Sequence, residues 1–311
     1  MTRILILGGG FAAMSVAKEL RKRSKRNPDI QITLVSENNY FLFQPMLPGV
    51  AAGTVEATHI VKPIRRLCKG IQFHRAKVDE INTSTKQVRI VGKDYTRQKW
   101  IEYDHLVLAL GSSTDLTCTP GMSEHSLPIK TLGDAFFLRN ELINKLEMAA
   151  IEPDLNYRKK LLTFLVVGGG FSGVETIGEV GDMLREAVKQ YPSIPKDEIR
   201  LILIHSRDTI LNELSKKLGS YAQNKLRKRG TELYLSARVT EVTPDKVILD
   251  SGQEFDCKTV ICTTGSAPQR VISELPFTNT KGRVDTNAMC QAVQRGSEGE
   301  ITGICPNIWA L

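Results

Sequence analysis

At 311 residues, 41% hydrophobic and 24% charged, the chain is long enough for two ordinary domains and has the composition of a globular protein. No apolar run approaches a membrane-spanning length, and Ile4–Leu7 is too short for a signal peptide, so a cytoplasmic start is expected. The net charge of +8 gathers partly at 21–26 and 225–229, near predicted helix ends, where a solvated basic face is the plain reading and anionic lipid the alternative; with no recognition module or aromatic platform beside it, nucleic acid is not expected.

The chain opens with a predicted strand, Arg3–Leu7, then Gly8-Gly9-Gly10-Phe11-Ala12-Ala13, then a helical pattern from about Phe11 to Lys25. In that context the glycines read as a dinucleotide loop. Gly8 permits the tight turn, Gly10 lets backbone approach a pyrophosphate, and Ala13 keeps the helix near its strand. The helix N-terminus offers the anion its N–H groups. A second strand, Gln31–Val35, leads to Ser36-Glu37, and the place of Glu37 after that strand suits an acid that binds adenosine ribose hydroxyls. Tyr40–Pro48 is apolar and aromatic, and Pro45 and Pro48 argue against regular structure there. Residues 71–103 read as a small antiparallel meander, and Leu106–Gly111 as a buried strand ending in glycine.

The plan then repeats. After a helix over Leu132–Ala149 come a strand (Thr163–Val167), the loop Gly168-Gly169-Gly170-Phe171-Ser172-Gly173, and a helix from about Ser172. Ser172 and Glu175 have capping-box spacing, with Ser172 at the N-cap. A strand over Arg200–Ile204, a helix over Leu214–Arg229, a meander through Val239–Phe255 and a closing strand Thr259–Gly265 complete the second unit. His205-Ser206-Arg207 has no acid at the tip of its strand, and Arg207 could accept a phosphate, so NADPH is not excluded. Pro306–Leu311 reads as the start of a further strand, and the ending there suggests a truncated chain.

The six cysteines include no metal-type pair, and no metal site is expected. Cys257 and Cys262 have the spacing of a flavin disulfide reductase, but in one strand they would lie about 16 Å apart on opposite faces. A disulfide needs Cα atoms within about 7 Å, so no redox pair is expected.

These features together resemble the type II (non-proton-pumping) NADH dehydrogenases of the two-dinucleotide-binding flavoprotein superfamily. The resemblance rests on the two glycine loops, Asn39–Pro48 with Val50–Gly53, Ile60–Arg65, Glu124–Leu132, Ile204–Leu214 and Tyr221–Leu226, and it covers nearly the whole chain. It implies an α/β protein of two Rossmann-like domains, each three-layered with a β-meander: an FAD domain over 1–119 plus 277–311 and an NAD(P)H domain over 120–276. It implies hydride transfer from nicotinamide C4 to flavin N5, then two electrons to a quinone at a membrane surface. For FAD it implies Gly8, Gly9, Gly10, Phe11, Ala12, Glu37, the Val78 backbone, Ala109 and Gly111, and Gly265 is a further cofactor-binding residue. For NADH it implies Gly168, Gly170, Phe171, Ser172, Gly173 and His205, with Glu175 near nicotinamide and flavin, and Gln44, Pro45 and Met46 beside the isoalloxazine. Gln44 stands where many relatives have threonine, and Glu179 reads as structural.

The family's Gly-Asp pair and membrane-binding C-terminal helices are not in the 311 residues. Peripheral attachment to the cytoplasmic face of a membrane would therefore rest on that further region, and a homodimer stays open. Two alternatives remain: a dinucleotide-binding protein without turnover, and a sulfide:quinone oxidoreductase-like enzyme, against which the lack of paired cysteines after either loop counts.

Overall fold

The structure is a computed structural model describing every residue except Arg26, residues 93–95, Cys118, Thr278 and Ser297. It divides into two units: Met1–Leu42, Val61–Ser113 and Ser266–Leu311 form the first, and Phe43–Ile60 with Thr114–Gly265 the second.

In the first unit the strands β1 (Thr2–Leu7), β2 (Ile30–Ser36), β3 (Gln72–Arg75) and β4 (His105–Leu108) lie parallel in the order β4-β1-β2-β3. The antiparallel strands Gln291–Arg295 and Ile301–Ala310 extend the sheet beyond β4, which pairs in parallel with Ile308–Ala310. Alternation along β1 builds the layers. Ile6 faces helix α1 (Phe11–Ser24) with Ala13, Ala17, Leu34 and Val107. Leu5 and Leu7 point to the opposite side and pack with Val78, Val88 and Ile90 of the meander Lys77–Asn82, Gln87–Val91 and Gln98–Glu102. Period-two alternation thus gives helix, sheet and meander as three layers.

In the second unit β5 (Thr163–Val167), β6 (Arg200–Ile204), β7 (Thr231–Tyr234) and β8 (Thr259–Cys262) form a parallel sheet in the order β8-β5-β6-β7, with Leu127–Pro128 outside β8. One face packs Leu165, Val167, Ile202 and Ile204 against Val239, Val242, Val247, Leu249 and Phe255 of the second meander. Its helices include α2 (Leu47–Ala52), α3 (Leu132–Ile151), α4 (Phe171–Ala187) and α5 (Lys216–Lys228).

Several expectations need correction. Phe43–Ile60 packs with the second unit, because α2 lies against α3 and α4, and the domain boundaries move to Ser113/Thr114 and Gly265/Ser266. Two prolines do not prevent helix there: Pro45 sits in the first turn of a 3₁₀ helix (Gln44–Met46) and Pro48 in that of α2, where the missing N–H costs nothing. Gln72–Arg75 belongs to the main sheet, so the first meander has three strands. The final strand begins at Ile301 rather than near Pro306. The segment holding Cys257 and Cys262 is two strands, Glu254–Asp256 and β8, with Cys257 in the connection. The break cancels the alternation, and both thiols enter one core cluster, each free and buried; burial pushes the Cys257 thiol up to about 12. Cys118 lies outside the described residues.

Candidate functional site: two glycine loops

Each loop is built on the same hydrogen-bonded frame. The Gly8 N–H donates to Val35 O at 2.8 Å, and the Gly168 N–H donates to Ile204 O at 2.9 Å. Both glycines are left-handed, with φ of 119° and 117°, where a side chain is strained. A Cβ on Gly8 would strike the carbonyl of Ala109, and one on Gly168 would stand 2.5 Å from Thr263 Oγ1. Close approach of the first and closing strands therefore requires glycine at both places.

The third glycine of each loop differs in kind. Gly10 (φ −85°, ψ −166°) and Gly170 (φ −76°, ψ −174°) are extended, which any residue can adopt. An added Cβ meets nothing within 4 Å at either one. Each is the N-cap of its helix, supplies no side-chain cap, and precedes a first turn without acids. Glycine is thus not required by the fold at these points, yet both face open space beside a helix N-terminus. That arrangement fits a bound pyrophosphate.

The expected capping box of Ser172 and Glu175 does not form. Helix α4 begins at Phe171, one residue earlier, with Gly170 as N-cap, so Ser172 lies within the first turn and Glu175 beyond it. A capping box does form on α3, where the Thr131 hydroxyl accepts from Asp134 N–H at 3.1 Å and the Asp134 carboxylate accepts from Thr131 N–H at 2.7 Å. Its Thr-x-x-Asp pattern was available in the sequence. Gly173 packs so tightly that a Cβ would strike the Gly168 carbonyl, whereas the first unit accommodates Ala13, fully buried, in that role.

In the first unit Glu37 is exposed just past β2, and its carboxylate has no hydrogen-bond or ion-pair partner among the described residues. The Glu37 backbone is held by Arg75, whose Nε donates to Glu37 O at 3.2 Å. Val78 is buried in the core beside a bulge of its strand, so only its backbone can face a ligand. Ala109 follows β4 and donates its N–H to Leu7 O at 2.9 Å. Gly111, two residues on, has a φ of 68°. Phe11 and Phe171 are each 46% exposed at the start of their helices, and Ala12 is half-buried.

In the second unit Gly265 (φ 79°) ends the closing segment as Gly111 does in the first, and its carbonyl accepts from Asp115 N–H at 3.1 Å. His205 is half-buried after β6. Its Nδ1 accepts from the Gly169 N–H at 3.1 Å, and its Nε2 lies 2.9 Å from Asn212 Nδ2. Burial, reinforced by Arg207, pushes the imidazole below its ordinary value. Glu175 is raised, first by partial desolvation and then by Glu179 one turn on. Glu179 in turn accepts from Thr54 Oγ1 at 2.8 Å, tying α4 to the turn after α2. Gln44, Pro45 and Met46 are exposed, and Gln44 Nε2 donates to Lys130 O at 2.9 Å.

Comparison with known proteins agrees with the geometry. The model of the family described as pyridine nucleotide-disulphide oxidoreductase matches residues 2–311. The chain is 35% identical over 255 residues to an external alternative NAD(P)H-ubiquinone oxidoreductase B4, mitochondrial, of Arabidopsis thaliana, covering 79% of this chain and 43% of that protein. It is 31% identical over 326 residues to the B3 protein of the same name and plant, covering 99% and 54%. The chain thus spans about half the length of these relatives. The fold matches NDH2 of Plasmodium falciparum in complex with NADH at a TM-score of 0.88 and 20% identity, covering 100% of this chain and 63% of that one.

Proposed function

The chain belongs to the pyridine nucleotide-disulphide oxidoreductase family, and we propose that it works as an FAD-dependent NADH:quinone oxidoreductase of the type II kind. FAD binds the first unit and the reduced nicotinamide dinucleotide the second. The observation that carries this reading is the pair of open cradles at Gly10 and Gly170, each heading an uncapped helix with no acid in its first turn.

In this reading Gly8–Ala12 receive the FAD pyrophosphate and Glu37 accepts hydrogen bonds from its ribose hydroxyls. The Val78 backbone serves the adenine, and Ala109 and Gly111 offer backbone to the flavin cofactor, with Gly265 a further cofactor-binding residue. Gly168, Gly170, Phe171, Ser172 and Gly173 receive the nicotinamide dinucleotide, with His205 setting the loop. Bound flavin supplies the two-electron relay between a hydride donor and a quinone. Glu175, raised by partial desolvation and by Glu179, holds a proton more readily than an ordinary carboxylate and suits quinone chemistry, which consumes protons. Gln44 and Pro45 line the exposed apolar turn that includes Met46.

A quinone acceptor is lipid-soluble, and among the described residues no helix is long and apolar enough to cross a membrane. Peripheral attachment to the cytoplasmic face of a membrane, as a monomer or homodimer, is part of the same proposal, because the quinone acceptor resides in lipid. Titration of the purified chain with FAD tests the first step. Flavin fluorescence should be quenched with saturation at one FAD per chain, and binding should be weakened in Glu37→Gln. Absence of any FAD binding would overturn the proposal.

A further inference from the structure

The correspondence between the two loops extends past the glycines to the tips of their second strands. Strand register sets Leu7 beside Val35 and Val167 beside Ile204. The Gly8 and Gly168 N–H groups donate to those same residues, Val35 and Ile204. An added Cβ on Gly9 would meet Ser36, and one on Gly169 would stand 2.7 Å from His205 Cγ. Three observations therefore agree that Val35 corresponds to Ile204, Ser36 to His205, and Glu37 to Ser206. The place of the ribose-binding acid is held by glutamate in the first unit and by serine in the second, with Arg207 next.

That exchange inverts the electrostatics of the tip. A carboxylate accepts from a ribose 2′-hydroxyl and repels a 2′-phosphate; a hydroxyl beside a guanidinium donates to the phosphate and neutralises it. Ser206 and Arg207 are both exposed, and the Arg207 guanidinium has no ion-pair partner among the described residues. The Arg207 backbone is fixed, its carbonyl accepting from Ser236 N–H at 2.9 Å, so the side chain projects from an anchored position. His205 does not take over the acid's role, since both ring nitrogens are engaged by Gly169 and Asn212. The acids that follow, Asp208 and Glu213, come after the tip, and Asp208 already accepts from Thr209 Oγ1 at 3.3 Å.

We propose that the second unit takes NADPH as well as NADH, with Ser206 and Arg207 holding the 2′-phosphate of NADPH. This rests on the assignment of a nicotinamide dinucleotide to that unit. Calorimetric titration of the whole chain with NADPH and, separately, NADH tests it without any turnover. The wild-type chain is expected to bind NADPH at least as tightly as NADH. Arg207→Ala should weaken NADPH about tenfold or more, the loss of one charged hydrogen bond, and leave NADH within about twofold. Ser206→Glu, which restores the carboxylate of the first unit, should weaken NADPH about a hundredfold and keep NADH. Both positions are exposed, so NADH binding doubles as the check on folding. Wild-type preference for NADH by about tenfold or more, or equal losses for both nucleotides in either variant, would overturn the proposal. Binding of neither nucleotide by the wild type would instead overturn the dinucleotide assignment itself, and the preference with it.

Discussion

Substitution of Gly170 by alanine separates what the fold needs from what a ligand needs. The residue is extended and its new methyl would meet nothing within 4 Å. Restricting the unfolded chain gains about 0.4–1 kcal/mol, and alanine at an N-cap loses a few tenths or more. The two nearly cancel, so the melting temperature should stay within about 2 °C of wild type. The methyl nevertheless projects where the pyrophosphate must approach the backbone. Losing one hydrogen bond to a charged group costs about 1.5–3 kcal/mol, about ten- to a hundredfold in affinity. Gly168→Ala is the contrasting case: with φ of 117° and a Cβ 2.5 Å from Thr263 Oγ1, it should cost the fold about 1–3 kcal/mol or more. Thermal denaturation and calorimetric titration with NADH read the two effects independently. A Gly170→Ala chain that bound nucleotide like wild type, or that lost stability as Gly168→Ala does, would refute the assignment of that space to a ligand.

Three further outcomes follow from individual side chains. Tyr103 is fully buried with its hydroxyl unpartnered among the described residues, and burial pushes its pKa up to about 12; Tyr103→Phe should be neutral or stabilising by about 1 kcal/mol in a denaturant melt, and a clear loss would reveal a missed partner. His205 has a depressed folded pKa, so its stabilising contact is present above the ordinary histidine range and lost as pH falls through the folded value. Protonation removes the Nδ1 acceptor of Gly169 N–H. Nucleotide affinity should therefore drop as pH falls below the ordinary histidine range, and the drop should vanish in His205→Leu; an unchanged profile in that variant would count against the contact. For Glu175, raised when folded, the sign is opposite: the charged carboxylate is disfavoured as pH rises. Glu175→Gln should gain slightly in stability above the ordinary carboxylate range and gain nothing below it, which melts at pH 4 and pH 8 compare.

The layered α/β fold was legible because its signals are local: Leu5 to Leu7 alternate between two cores, and a glycine triplet after each such strand admits few other geometries. The repeat of that signal gave two units. What the sequence left hidden depends on packing between segments distant in the chain. Tyr40–Pro48 looked like a loop of the first domain, but α2 starts at Leu47 and buries every one of its residues within the second unit. Cys257 and Cys262 looked like one strand because hydrophobic runs do not mark a two-residue break. The capping spacing of Ser172 and Glu175 was real as a pattern, but the glycine turn starts the helix at Phe171. Ser206 as the counterpart of Glu37 needed strand register, since the intervening helices differ in length and obscure the alignment.

Electron transfer within one chain requires that it bind both dinucleotides together. Anaerobic stopped-flow mixing of the FAD-loaded chain with reduced nicotinamide dinucleotide tests it most directly. Rapid bleaching of the flavin band is expected, slowed at limiting nucleotide in Gly170→Ala. FAD-loaded chain that kept its oxidised spectrum with both NADH and NADPH would contradict it.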